Sequence, residues 1–290
     1  MKSLHELRTE LTGVRLSAAN NSLWSIGAEV SERARVSLND AISLYKFRIT
    51  EQYTSVQLDT DGVVVVLPKN ADRVLEIHAI VDSGYGRTPL VHYRHVPTPM
   101  TNLLYLGEYV SVYSGVEIEY EARLKKYAKD VALLAAFNTA TVSNVEVTGG
   151  TPAASWMSPG YFEITPVGST DTREVIRYEL ATPTGFTGLT RKIEGVHVNW
   201  SGSATVSMVA PMPDDAVPTI IAAAKASMYE FWVTHQALYT QWSSAAGIRE
   251  LGLEELMGLI RTEEDRANRR YDKVRTVPKP TYVKKRRRPY

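Results

Sequence analysis

A chain of 290 residues with 44% hydrophobic and 22% charged residues has ordinary globular values, which exclude wholesale disorder, a collagen-like chain and a coiled-coil rod. Its complete lack of cysteine excludes a disulfide framework, a thiolate metal site and a cysteine nucleophile. The net charge of +1 is unevenly distributed along the chain. Residues 261–290 hold 12 basic and 4 acidic residues, a net charge of +8, whereas residues 1–260 carry a net charge of −7.

The first predicted elements are helical. Residues 4–11 favour a short helix that ends at Gly13. Apolar residues then recur at spacings of three and four, which predicts a long amphipathic helix over residues 23–47 with four charged side chains on its outer face: Glu29, Glu32, Arg33 and Arg35.

Residues 53–124 change to β-branched and aromatic runs punctuated by Gly and Pro. Residues 53–58 and 63–67, on either side of Asp61-Gly62, predict a hairpin. Further strands are expected at residues 73–81, 90–95, 103–106, 109–113 and 116–124. The last of these alternates apolar with charged residues, which predicts one buried and one solvated face.

Residues 129–210 are rich in Thr, Ser, Gly and Val and predict a compact all-β module. After a proline cluster, helical periodicity returns from Val217 to Trp242, where it predicts one long helix with His235 as a core or interface residue. A last helix is expected from Leu253 to Val274.

This order predicts an α+β fold in which N- and C-terminal helices form a bundle and the β segments are insertions. We divide the chain into a helical bundle domain (1–52 and 211–276), an antiparallel β domain (53–128), an inserted small β module (129–210) and a basic C-terminal docking arm (277–290).

The arm has no acidic residue and three prolines, which indicates an extended segment. Its cations can contact an acidic face of another subunit or nucleic acid phosphates, and a merely solvated terminus is equally typical of such runs. Aromatic and β-branched residues within it favour docking on a partner. The candidate docking residues are Lys279, Tyr282, Val283, Lys284, Lys285, Arg286, Arg287, Arg288 and Tyr290.

The residues that usually carry chemistry form no recognisable motif. There is no phosphate-binding Gly-Lys-Ser/Thr loop and no Gly-x-Ser-x-Gly elbow, and a strand at residues 90–95 would put His92 and His95 on opposite faces. We therefore predict no enzyme, no cofactor and no metal site. No apolar run approaches the roughly 18 residues of a membrane span, so no membrane partner is expected.

Two groups of segments nevertheless resemble a known family. Residues 38–42, 47–51 and 67–73 resemble tailed-bacteriophage head-to-tail connector proteins, which are also called adaptor or tail tubular proteins. Residues 160–164, 174–178, 186–191 and 200–206 resemble a small β module common in phage virion proteins, with Lys192 where that module usually has glycine.

The resemblance implies a non-enzymatic ring subunit, generally in twelve copies, located in the virion neck after assembly in the host cytoplasm. Such a subunit would bind the portal protein through its C-terminal segment, present a platform to tail or neck proteins and surround the channel through which DNA passes, so that its contact with packaged DNA is transient. Three aromatic residues of the helix that begins near Val217 are candidate inter-subunit anchors, with core packing as the alternative: Tyr229, Trp232 and Tyr239.

Two other functions remain open. The 129–210 unit could be a tail or baseplate binding module for a glycan or another virion protein. The basic arm could instead make the chain a nucleic-acid-binding protein, in which case binding would weaken steeply with salt.

Overall fold

The computed structural model is a mixed α+β chain. It describes residues 2–12, 21–53, 57–59, 62–68, 70–80, 87–90, 92–98, 101–106, 115–137, 143–166, 172–195, 199–210 and 212–275. In these ranges the helices are α1 (Leu4–Thr12), α2 (Asn21–Leu44), α3 (Pro152–Ser155), α4 (Val217–Thr234), α5 (Gln236–Ala246) and α6 (Leu253–Arg275). The strands form three antiparallel sheets.

Sheet I has the order β2-β9-β5-β6, and its strands are β2 (Phe47–Tyr53), β9 (Gly115–Ala122), β5 (Ala71–Ile80) and β6 (Arg87–Pro89). Sheet II has the order β3-β4-β8-β7, with β3 (Gln57–Asp59), β4 (Gly62–Val66), β8 (Asn102–Leu106) and β7 (Tyr93–Pro97). Apolar residues of the two sheets form one buried cluster that includes Val65, Leu104, Ile118 and Tyr120. Sheets I and II therefore pack face to face.

Sheet III has nine strands in the order β14-β15-β11-β10-β17-β12-β13-β16, with β1 also paired to β17. Its strands are β1 (Lys2–Ser3), β10 (Val131–Leu133), β11 (Asn144–Thr148), β12 (Gly160–Thr165), β13 (Glu174–Tyr178), β14 (Leu180–Ala181), β15 (Gly185–Thr187), β16 (Thr190–Gly195) and β17 (Thr205–Ala210).

Helix α4 is the central helix. It is buried along most of its length and rich in alanine, which is the composition of a helix covered on several sides. It packs against α2 on one side and α6 on another. Side chains of α2, α4, α6 and sheet III belong to one continuous hydrophobic core, which contains Leu38, Ile220, Ala267 and Met208. Helices from both ends of the chain thus meet around α4.

The first long helix ends earlier than predicted. It stops at Leu44, and Phe47 begins β2, which pairs along its whole length with β9. Two residues predicted on its solvated face also lie against other elements. The Arg33 guanidinium donates to Ser227 Oγ at 2.9 Å, and Arg35 donates to the Tyr127 carbonyl at 3.0 Å.

The second long helix is broken, contrary to the prediction of one continuous helix. His235 has non-helical backbone angles between α4 and α5, and its imidazole is exposed and stacked on Phe231 rather than part of the core. The Thr234 hydroxyl donates to the Phe231 carbonyl at 2.9 Å, a side-chain bond that competes with continued helix. The break lets the rings of α5 fold back onto α4.

Most of the strands predicted within residues 53–124 are confirmed, and two differ from the prediction. Residue 53 belongs to β2, and the hairpin pairs β3 with β4; its turn at residues 60–61 lies outside the described residues. The single strand expected at residues 90–95 is replaced by β6 and β7. The strand expected at residues 109–113 also lies outside the described part of the chain.

The segment that joins β9 to β10 is fastened to α2 by a buried amide. Asn39 Nδ2 donates to the Tyr127 carbonyl at 2.9 Å, and the Tyr127 N–H donates to Asn39 Oδ1 at 2.7 Å. The Tyr127 hydroxyl then donates to the carbonyl of Lys2 at 3.0 Å. These hydrogen bonds connect α2, strand β1 and the segment that leads into sheet III. Residues 129–210 also contribute side chains to the same hydrophobic core as the helices.

Candidate interaction surfaces

The predicted docking arm lies outside the described residues. All nine of its candidate side chains fall in residues 276–290: Lys279, Tyr282, Val283, Lys284, Lys285, Arg286, Arg287, Arg288 and Tyr290.

The structure brings two of the three predicted inter-subunit residues together inside the chain. Trp232 stacks on Trp242 with ring centroids 5.2 Å apart, and Tyr239 lies 5.2 Å from Trp232. Trp232 is 3% exposed and Tyr239 is 4% exposed, whereas Tyr229 is half-buried. The rings of Trp232 and Tyr239 are therefore used in packing α5 on α4, and an additional role of these residues between subunits stays a prediction.

The last four turns of α6 carry a row of polar and cationic side chains, which we call the cationic stripe and define as Thr262, Arg266, Arg269, Arg270 and Lys273. Spacings of four, three and four residues from 262 to 273 place them along one side of the helix. This side differs from the buried side, on which Leu256, Glu263 and Ala267 lie.

The stripe lines an open cavity of about 360 Å³. Arg266 pairs with the buried carboxylate of Glu263 one turn earlier. The Arg269 Nε donates to the carbonyl of Asp265 at 3.2 Å, and Arg270 donates to the carbonyl of Pro218 at 2.9 Å. Carbonyl oxygens orient these two guanidinium groups without neutralising a full charge, so the cavity presents positive charge to solvent.

A second charged cluster holds the N-terminus on sheet III. Ser3 and Glu6 form a capping box at the start of α1, because the Glu6 N–H donates to Ser3 Oγ and the Ser3 N–H donates to Glu6 Oε2, both at 3.1 Å. Arg173 donates to Glu6, to Glu163 on β12 and to Glu194 on β16. One guanidinium thus joins three carboxylates from three elements.

Glu163 is the buried member of this cluster. Its side chain is 1% exposed, and Oε1 has no hydrogen-bond partner. Burial raises the pKa of Glu163 to about 7, since the nearby Arg173 charge offsets only part of the desolvation. For Glu6, burial also raises the pKa, but hydrogen bonds from Arg173 and the Ser3 backbone outweigh it and the pKa lies below its ordinary value.

A third cluster explains part of the β-module motif. The Arg191 guanidinium donates to both carboxylate oxygens of Glu174 at 3.0 and 2.6 Å and lies over the Phe137 ring at 4.3 Å. Trp200 Nε1 donates to the same carboxylate at 2.7 Å. Glu174 is fully buried, so this pair is held by charge-assisted hydrogen bonds inside the module. These motif residues have a structural role here.

In the described residues, no group of three or more His, Asp or Glu side chains is arranged to hold a metal ion. The described helices also include none with the length and apolar character needed to cross a membrane.

Sequence reasoning assigned no function to the cationic stripe and missed the Arg173 cluster, for different reasons. The regular spacing of residues 262, 266, 269 and 273 places them on one side of a helix, but the acidic residues 263–265 between them make the segment look mixed in charge. The Arg173 cluster joins residues up to 167 positions apart, which the pairing of β1 with β17 and the packing of α1 on β17 help to bring together. No local pattern could have indicated it.

Comparison of the chain with protein-family models, with curated proteins and with solved structures finds no match in any of the three.

Proposed function

We propose that this chain is a structural, non-catalytic head-to-tail adaptor that forms a ring between the portal and the tail of a tailed bacteriophage. One observation carries the proposal: α2, from the N-terminal part of the chain, packs on α4, which packs on α6, from the C-terminal part. Residues 47–210, between these helices in sequence, supply almost all strands of three sheets. A helical bundle with inserted β regions is the organisation that the connector resemblance implies.

The charges of the two parts of the chain are compatible with this role. A ring subunit needs two unlike faces that meet head to tail and close by rotation. The net charge of −7 over residues 1–260 gives a body that is weakly adhesive toward DNA in a channel. The basic arm at residues 277–290 would then bind the portal, and the proposal includes its nine candidate residues.

The alternative of an autonomous glycan- or virion-binding module at residues 129–210 has weaker support. Its sheet includes β1 from the N-terminus, and its apolar face shares the core of α2 and α4. A segment that depends on these contacts is not expected to fold and act alone.

The test is assembly with the portal protein encoded by the same genome. The purified chain is mixed with purified portal rings and separated by gradient sedimentation, and the complexes are imaged by negative-stain electron microscopy. We expect the full chain to add a ring to the portal and a chain ending at residue 276 to lose this binding. Circular dichroism and thermal unfolding of both chains are the control for folding.

Two results contradict parts of the proposal. If the full chain does not bind the portal under any ratio of the two proteins, the adaptor function is wrong. If the chain ending at residue 276 binds as well as the full chain, the adaptor function stands and the role of the arm is wrong.

A further inference from the structure

We infer that the cationic stripe of α6 is a contact surface for the phosphodiester backbone of duplex DNA. The inference deepens the proposed function, on which it rests for the biological source of the DNA. The contact itself is a property of the folded subunit and can be measured without a ring or a portal.

The shape of the stripe fits a linear polyanion. From Thr262 to Lys273 it extends over eleven residues, which is about 16 Å along the helix axis. Duplex DNA carries one negative charge per about 1.7 Å of its axis, so several phosphates lie within reach of a row that contains the ion-paired Arg266 and three further cations, Arg269, Arg270 and Lys273. The open cavity of about 360 Å³ leaves room for phosphate groups between the side chains.

The chemistry of the stripe also favours phosphate. Arg269 and Arg270 are exposed, and the carbonyl oxygens that they contact orient the guanidinium groups while leaving other N–H groups of each to donate elsewhere. A guanidinium presents five donors in a planar fork that matches a phosphate.

An acidic protein surface is the competing occupant, and the composition of the stripe disfavours it. Protein interfaces have an apolar, often aromatic core from which charged residues are depleted. Every member of the stripe is polar or charged, and the exposed apolar residues of α6, Leu253 and Met257, lie at the other end of the helix. Phosphate contacts need no such core, because counterion release supplies most of their affinity.

The contact would be independent of sequence. The stripe lies on one side of α6, which packs against α4. Its side chains can contact phosphates along the outside of the duplex, and such contacts do not read the base sequence. Weak binding of this kind suits a surface past which DNA must move, since binding that depends on phosphates alone lets a protein slide along the duplex.

The experiment measures binding of the full chain to a fluorescently labelled mixed-sequence duplex of about 25 base pairs by anisotropy, at several salt concentrations. The test variant combines Arg269→Gln and Lys273→Gln. The matched control combines Arg249→Gln and Arg261→Gln, which removes the same charge from two exposed residues outside the stripe. The arm is present in all three chains, so their differences report the helix.

Each neutralised phosphate contributes about 0.9 to the slope of log affinity against log salt. We therefore expect the test variant to lose about 2 from the magnitude of this slope and about 60-fold in affinity at 0.1 M salt. The control variant is expected to keep the slope of the unmodified chain. Thermal unfolding of each chain checks that the fold is intact.

The inference is overturned if the test variant and the control lose affinity equally, because the effect is then one of net charge. It is also overturned if poly-L-glutamate of equal charge competes with the duplex more effectively than unlabelled duplex does, which would favour an acidic protein partner. Failure of portal assembly with retained, stripe-dependent DNA binding would contradict the adaptor function alone.

Discussion

Replacing the buried carboxylate of Glu163 by an amide of the same shape should change the pH dependence of stability. Burial raises the pKa of Glu163 from 4.5 to about 7 in the folded chain. The folded chain therefore binds this proton more tightly than the unfolded chain does, and raising the pH from 4.5 to 7 removes stability. At 1.36 kcal/mol per pKa unit, the penalty above pH 7 is about 3 kcal/mol.

Glutamine at position 163 carries no such penalty. At pH 4 the Glu163 carboxyl is protonated, and the glutamine amide oxygen can accept from Arg173 as the carboxyl does, so we expect the two chains to have similar stability at pH 4. Glu163→Gln should then gain about 3 kcal/mol on the original chain between pH 4 and pH 8. The neighbouring Glu6 acts in the opposite sense: its pKa is lowered, so its contribution is present at neutral pH and lost as the pH falls. Comparing the two chains at each pH cancels this background.

Urea unfolding at pH values from 4 to 8 measures the effect. The matched control is Glu194→Gln, which removes another carboxylate bonded to Arg173 but one that is half-exposed, and whose loss should cost less than about 1 kcal/mol at any pH. Parallel stability curves for the original chain and Glu163→Gln would contradict the raised pKa of Glu163.

Three further substitutions test the packing. Trp232→Ala should destabilise the isolated subunit by about 4 kcal/mol in thermal unfolding, whereas a residue used only between subunits would leave it unchanged. Asn39→Ala, which removes two buried hydrogen bonds, should cost about 2 kcal/mol in urea unfolding, and full retention of stability would contradict the fastening of this segment. Gly185→Ala would place a Cβ 1.9 Å from the Val145 carbonyl oxygen and should lower the free energy of unfolding by about 3 kcal/mol. The control Gly258→Ala lies in a helix with open space around it and should raise the free energy of unfolding by about 0.5 kcal/mol. Equal effects of the two substitutions would refute the close approach of β15 to β11.

The elements with strong periodicity could be predicted from the sequence. Helices α2 and α6 and strand β9 repeat apolar residues over many turns or pleats, and such repetition reports burial directly. On the charged face of β9, which was predicted to be solvated, Glu117 is only 6% exposed, and Gln52 on the adjacent strand donates to its carboxylate at 3.1 Å. A cross-strand partner of this kind is invisible in the pattern of one strand.

The remaining features depend on contacts between distant residues. Strand β1 has only two residues, too few for a sequence signal, and it exists because Lys2 and Ser3 pair with Ala210 and Val209. The break at His235 allows Trp242 of α5 to stack on Trp232 of α4. This is a tertiary contact, which the local helical periodicity does not indicate. The spacing of residues 262, 266, 269 and 273 indicates that they share one side of a helix, but their exposure depends on which side of α6 packs against α4.

The most direct test of the adaptor proposal is cryo-electron microscopy of the neck of intact virions of the tailed phage that, under this proposal, encodes the chain. The account predicts a ring of density between portal and tail into which the α2–α4–α6 packing and sheet III fit as one body in each subunit, with the C-terminal segment reaching the portal. Neck density that this fold cannot occupy would contradict the account.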